Sequence, residues 1–404
     1  MSSASEARQT VRRRRVFYIP GYDPIHPRRY RELYRKEGAE QAEISGYEIA
    51  LSPKQTGGPF GWHVEGRMDG AETRAEFEVL VWSDIVRDSM EQGIAATYIQ
   101  LARTAWTYIA SGALFRLMQL RKGPVIAALY PVVFLIVQLA LALALAWGLG
   151  RALGLVHPLA AWGGLIVVPF VLEWFRKQDG KFFAYYLMHD YAYSAQSKGE
   201  NPPELEARMA AFSDVIAEAL TGDFDEVLVV GHSSGAHLGV SILADLVRGG
   251  RVPEGGPALG FLTLGQVVPM VSFLPEAWRL RADLAYLSTR EELFWLDVTA
   301  PGDGCAFALC DPVAVSGVAP EDQRWPIAIS AAFTQTLSAA RWQRLKRRFF
   351  RLHFQYLCAF DHPRDYDYFR ITAGPLTLAQ RFGARGSSKS LITRPVNIYT
   401  SLAP

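Results

Sequence analysis

The segment Gly231-His232-Ser233-Ser234-Gly235 carries the clearest chemical signal in the chain. It follows the β-branched run Glu226–Val230 and precedes a helical pattern from Gly235 to Arg248. A serine flanked at two residues on either side by glycine suits a tight turn from strand to helix. The turn crowds its neighbours, so they must be small, and it leaves the serine hydroxyl exposed on strained backbone. The spacing selects Ser233. Were Ser234 the nucleophile, His232 and Ala236 would have to fill the glycine places. The chemistry implied is nucleophilic attack. A serine hydroxyl is weak in that role and needs a base to take its proton and an acid to orient the base.

The motif, with a histidine inside GHSSG, resembles the α/β-hydrolase superfamily in its lipase and esterase style. The resemblance spans Val16 to about Pro375, apart from an apolar interruption described below. It implies a chain order of serine, then acid, then histidine. The acid is expected in a loop just past a strand. The strand within ELFWLDVTA leads into Pro301-Gly302-Asp303-Gly304, which favours Asp303; Asp297 and Asp311 are the alternatives, with turn-forming or capping roles open to each. The base is expected near the C-terminus. His353, in FFRLHFQYL, has Tyr356 three residues on, an H-x-x-Y arrangement similar to that of several lipases and esterases; His362, in an ordinary Asp-His-Pro turn, is the alternative. His232 and His237 read as locally packed. Two N–H donors should meet the developing oxyanion. Ser234 would supply one and Tyr22, in the loop Pro20-Gly21-Tyr22, the other; a plain β-turn is the alternative for that loop.

Val125–Gly150 holds no charged residue over 26 positions, and after Arg151 the stretch Ala152–Leu172 holds none over 21. About 20 apolar residues in a helix cross the hydrocarbon of a bilayer. A membrane hairpin is therefore expected, with the second helix, Leu159–Trp174, somewhat short for a full span. A half-immersed hairpin and a buried core hairpin remain open. Arg116, Arg121 and Lys122 precede it, Arg176, Lys177 and Lys181 follow it, and Arg151 alone lies between. That bias places both flanks on the cytoplasmic side. Val16–Ile19 is too short for a signal-peptide core. Arg12–Arg15 reads as a solvated basic tail, or as a contact for anionic headgroups.

The remaining elements must position these groups. The sequence predicts strands at Val16–Ile19, Tyr47–Leu51, Trp62–Arg67, Phe77–Trp82, Glu226–Val230, Leu259–Leu264 and Leu293–Thr299. It predicts helices at about Arg28–Glu43, about Asp84–Leu120, Glu173–Ser197, Pro203–Leu220 and Gly235–Arg248. Strands alternating with helices imply an α/β fold with a mostly parallel sheet flanked by helices and interrupted by the two-helix hairpin. The expected division is a tail (residues 1–15), a first part of the hydrolase domain (16–122), the hairpin (123–174) and a second part bearing the serine (175–404). The aromatic run Phe182–Tyr193 reads as a helix on the sheet edge, or as a lid or acyl-binding surface.

Composition narrows the classes further. Of 404 residues, half are apolar and a fifth charged, with a net charge of +2. That excludes a disordered chain and argues against a nucleic-acid binder. Three cysteines without a CxxC pair argue against a disulfide framework or a thiolate metal site. No phosphate-binding glycine loop and no HExxH are present, so neither cofactor nor metal is expected. The expected partners are a lipid bilayer and an ester or other acyl-bearing substrate, small or lipid-like. A serine hydrolase anchored in the membrane is the leading expectation. A non-catalytic membrane-tethered scaffold and an acyltransferase using the same serine are the rivals.

Overall fold

A computed structural model describes residues 10–54 and 57–404. Eight strands form one sheet: β1 (Arg13–Ile19), β2 (Glu48–Pro53), β3 (Gly61–Met68), β4 (Ala71–Val79), β5 (Glu226–His232), β6 (Ala258–Leu264), β7 (Leu293–Thr299) and β8 (Ile327–Ser330). Their order is β2-β3-β4-β1-β5-β6-β7-β8. β3 runs antiparallel to both neighbours, and every other pair is parallel.

The two-sided burial explains the apolar strands. In β1, Phe17 and Ile19 face one hydrophobic cluster while Val16 and Tyr18 face the other. In β5, Val227 and Val229 face the first cluster and Leu228 and Val230 the second. Successive side chains on a strand point to opposite faces, so a sheet covered on both sides demands an unbroken apolar run. All seven residues of β5 are buried. The helices Pro203–Leu220, Ser234–Arg248 and Trp278–Leu287 cover the first face. Arg28–Ser45 and Tyr368–Ala373 cover the second.

Several expectations change. Arg12–Arg15 is no tail, because Arg13–Arg15 begin β1. Arg14 is fully buried; its Nε donates to Glu226 Oε2 at 2.5 Å, and its guanidinium also donates to the carbonyls of Gly374 and Leu376 at 2.8 and 2.6 Å. Glu226 Oε1 in turn accepts from the Leu378 amide at 2.6 Å. A charge run hides such a residue, since burial of one arginine depends on an acid 212 positions away. Residues 1–9 lie outside the described residues. The strand expected at Phe77–Trp82 starts earlier, at Ala71, because Asp69 and Gly70 both take positive φ (54° and 78°). That is the two-residue turn whose twist suits a hairpin. The long helical stretch from about Asp84 to Leu120, for which a break was open, is three helices, Ser83–Met90, Ile94–Ala110 and Ala113–Leu120. The short strand β8 carried too few residues to register in the sequence.

The charge-free stretch forms a helix from Lys122 to Gly154, 33 residues long. A 3₁₀ turn, Pro158–Ile166, continues into the helix Val167–Lys177. The two segments are long and apolar enough to cross a membrane. Only 22% and 11% of their most apolar windows are buried, so they are not core helices. They meet along a seam of small residues. A Cβ on Gly164 would stand 2.2 Å from the Ala146 carbonyl oxygen, and one on Gly150 would stand 2.6 Å from that of Ala161. Such close backbone approach is how helices pack where water supplies no driving force.

Candidate active site

β5 delivers Ser233 to the C-terminal edge of the sheet. Ser233 takes φ 56° and ψ −120°, conformations that a residue with a side chain occupies only under constraint. The constraint comes from its neighbours. A Cβ on Gly231 would stand 2.6 Å from the Gly235 carbonyl oxygen, and one on Gly235 would stand 2.1 Å from that of Ile19. Both positions therefore require glycine. The Ser233 amide donates to the Leu264 carbonyl at 2.9 Å, which ties the turn to the end of β6. The helix Ser234–Arg248 starts immediately afterwards.

Asp303 stands in the turn after β7, its amide bonded to the Ala300 carbonyl at 2.8 Å. Its Oδ2 accepts from His353 Nδ1 at 2.7 Å and from the Tyr356 hydroxyl at 3.0 Å. Its Oδ1 accepts from the Cys305 amide at 2.9 Å. Burial alone would raise the carboxyl pKa; the neighbouring His353 and these hydrogen bonds outweigh burial and hold it below the usual range. The group is a carboxylate that fixes the imidazole with Nδ1 toward it. Nε2 of His353 is then left pointing away, buried and without a hydrogen-bond partner. Ser233 and His353 thus make no mutual hydrogen bond.

His232, the residue before Ser233, contacts His353. The two rings lie 4.8 Å apart, and His232 Nε2 meets the His353 carbonyl at 3.0 Å. Burial first, then the nearby His353, push the His232 pKa down to about 3, so this ring stays neutral. Gly265, at φ 55°, lets the loop after β6 close on His353. A Cβ there would come within 3.1 Å of His353 Cε1 and 2.7 Å of the Tyr356 ring.

The alternatives fall elsewhere. Asp297 lies inside β7, accepts from Thr263 Oγ1 at 2.7 Å, and is pushed up to about 7 by burial. Asp311 caps the short helix Pro312–Val315. His362 is exposed, and its amide bonds the Thr336 carbonyl at 2.8 Å. His237 is buried in the helix that follows the strand-to-helix turn at Ser233, the elbow.

The loop Pro20-Gly21-Tyr22 leaves β1, the neighbour of β5, and touches the serine. A Cβ on Gly21 would stand 3.0 Å from Ser233 Cβ and 3.4 Å from its Oγ. Trp82 Nε1 donates to the Pro20 carbonyl at 2.9 Å, and the Tyr186 hydroxyl donates to that of Tyr22. The Tyr22 phenol is engaged away from the serine, 2.6 Å from Ser89 Oγ. Among the described residues, the Tyr22 and Ser234 amides have no hydrogen-bond acceptor.

One group escaped the sequence. Asp190, from the helix Ala184–Ala195, lines a narrow cavity of about 20 Å³ with Tyr22, Trp82, Ser234 and His237. Burial raises its pKa to about 7, and His353 pulls in the opposite direction. An acid inside the aromatic run Phe182–Tyr193 was the available signal. Donor atoms of Asp303, Cys305 and His353 lie within 4.8 Å of one another, close enough to consider a metal. The bonding argues against it: Asp303 already accepts three hydrogen bonds, and burial holds Cys305 as a neutral thiol, the form that does not bind metals. Neither a family model, nor a curated protein, nor a solved structure matches this chain.

Proposed function

We propose that the protein is a membrane-anchored serine hydrolase of the α/β-hydrolase type that cleaves a carboxylic ester or thioester. The observation that carries the reading is the His353–Asp303 pair at 2.7 Å, its second ring nitrogen unpartnered, beside a serine on strained backbone at a strand-to-helix turn. In the first step Ser233 Oγ bonds to the substrate carbonyl carbon while His353 Nε2 takes the hydroxyl proton. The imidazolium is stabilised by Asp303. The tetrahedral oxyanion is met by the amides of Tyr22 and Ser234, the second at the start of a helix where the dipole favours negative charge. Collapse breaks the bond to the alcohol or thiol, which leaves with the proton from Nε2. Water, deprotonated by the same nitrogen, then releases the acid and restores Ser233.

The anchor is the hairpin Lys122–Lys177. Its exposed apolar faces need a solvent other than water. The helices are about 50 and 35 Å long, enough for the hydrocarbon with some of the first helix left over. The basic flanks favour a site on the cytoplasmic side. A lipid-like substrate is supported by two contacts. Gly123, at the root of the hairpin, would place a Cβ 3.2 Å from Gly304 beside the acid. Rings also run from Phe134 and Phe182 (5.0 Å apart) on the hairpin side to Phe183 and Tyr186 (6.4 Å) and on to Tyr22 (6.2 Å).

The test is a fluorophosphonate probe applied to the full chain in detergent, beside Ser233→Ala. The wild type alone should be labelled, and long-chain esters in micelles should turn over faster than short soluble ones. Equal turnover with and without lipid would remove the lipid-like substrate. The absence of a Ser233–His353 hydrogen bond favours a second reading, a scaffold without catalysis. Folded protein that resists the probe would favour that one.

A further inference from the structure

We propose that the segment Arg344–Arg351 is a docking surface for anionic lipid headgroups. The proposal rests on the membrane reading above but not on the serine chemistry. The segment reads RLKRRFFR and lies just before His353. Arg344, Arg347, Arg348 and Arg351 are exposed and Lys346 is half-buried. Among the described residues, none of the five forms an ion pair, whereas nearby Arg341 is paired with Glu40 and Asp361. Five uncompensated cations in eight residues are unusual in a chain whose net charge is +2. Phe349, in their midst, is 54% exposed. Cations interleaved with an outward aromatic suit a membrane surface, where charge meets phosphate and the ring enters the interface.

Position decides for lipid over a soluble polyanion. The segment lies over the acid loop: a Cβ on Gly304 would stand 3.1 Å from Phe349, and one on Gly302 would stand 2.8 Å from the ring of Trp342, two residues before the segment. The same Gly304 meets Gly123 at the hairpin root. Phe350 packs on Phe183, 5.0 Å away, in the stretch that leaves the hairpin. Lys122 and Lys177, at the hairpin's two ends, mark where the apolar span meets the headgroups. The basic segment therefore sits at headgroup level once the hairpin is inserted. It also ends at the base, so a headgroup bound there touches the element that holds His353.

The experiment uses the full chain in lipid nanodiscs of phosphatidylcholine alone, or with about a third phosphatidylglycerol, a fraction that gives the surface potential such cations sense. Hydrogen exchange is read on the peptide covering 344–352. Anionic discs should slow exchange about five-fold or more, the factor expected per engaged cation, and salt should abolish the difference. The exposed-site variant Arg344→Gln/Arg347→Gln/Arg348→Gln should exchange alike in both discs while keeping its circular dichroism. Equal exchange of the wild type in both discs would overturn the proposal. So would protection by an RNA oligomer in neutral discs without protection by phosphatidylglycerol. Probe labelling in the same discs keeps the readings apart. Lipid protection without labelling removes the hydrolase alone; labelling without lipid protection removes the docking surface alone. A chain that enters neither disc removes both the docking surface and the anchor.

Discussion

The helices Ser234–Arg248 and Lys122–Gly154 are both strongly apolar, yet they live in opposite surroundings. The first is buried along 13 of its 15 residues, pressed between β5, β6 and the helices beside it. The second leaves Val133, Ile136, Val137 and Leu141 between 44% and 58% exposed. The difference lies in what each helix packs against. Side chains of the sheet surround the first, and backbone contacts at glycine fix its start. The second meets the returning segment along a seam of small residues and packs Leu135 against Leu101, Tyr185 and Met188, but leaves much of its remaining apolar surface exposed. Apolar composition thus reports the medium a helix will tolerate. Burial reports whether the protein itself provides that medium.

Four expected outcomes sharpen or break this comparison. The largest is at the elbow. Ser233→Ala should lower ester turnover by about 10⁴–10⁶-fold, leaving the fold unchanged by circular dichroism. Retained turnover would remove Ser233 from the chemistry. Next come the two helices themselves. Val137→Arg/Leu141→Arg places two charges on the exposed face of the long helix and should oppose insertion by about 5–7 kcal/mol. After an alkaline wash, the variant should leave the membrane fraction. Leu243→Arg, at a fully buried position of the helix Ser234–Arg248, should instead abolish soluble folding of the sheet domain. If both variants behaved alike, the contrast between the helices would fail.

The acid comes third. Asp303→Asn keeps the shape but loses the charge that orients and stabilises the imidazole, so kcat should fall by about 10⁴-fold. Rates within ten-fold of wild type would point to another acid. The smallest effect concerns Asp297, buried in β7, where burial pushes its carboxyl up to about 7 from the ordinary carboxylate value. A raised folded-state value means that the native chain holds a proton the unfolded chain has released. The contribution to stability is complete below about pH 4 and is lost as pH rises through 7. Asp297→Asn keeps an acceptor for Thr263 and has no proton to lose. It should therefore be more stable than wild type at pH 8, by on the order of 4 kcal/mol, and the two should converge toward pH 4. Thermal melts at the two pH values check the sign.

Much of the frame was legible because it is written in neighbouring residues. The strands at β5, β6 and β7 show as apolar runs, and the elbow shows as glycine spacing around Ser233. β4 was misplaced because Glu72, Arg74, Glu76 and Glu78 interrupt it with charge, although that alternation is itself a strand period. Its partner-side charges are absorbed by neighbours such as Arg15, which bonds Glu76 and lies 2.7 Å from Glu78. Asp190 was overlooked for a related reason. A carboxyl inside an aromatic run stands out, but the run does not say which wall it faces.

The sequence by itself determined which segments alternate, which turn requires glycine, and which stretch carries no charge for long enough to form the hairpin helices. These follow from periods of two and 3.6 residues and from steric limits within a few positions. Only the tertiary structure decided that Arg14 is buried against Glu226, that Asp303 and not Asp297 or Asp311 meets His353, and that Asp190 shares a cavity with Tyr22 and Ser234. Those pairings join residues 212 and 50 positions apart in the first two cases. Chain distance carries no information about them. They exist because packing of the two sheet faces brings the groups together, and because a buried charge without its partner would not remain charged.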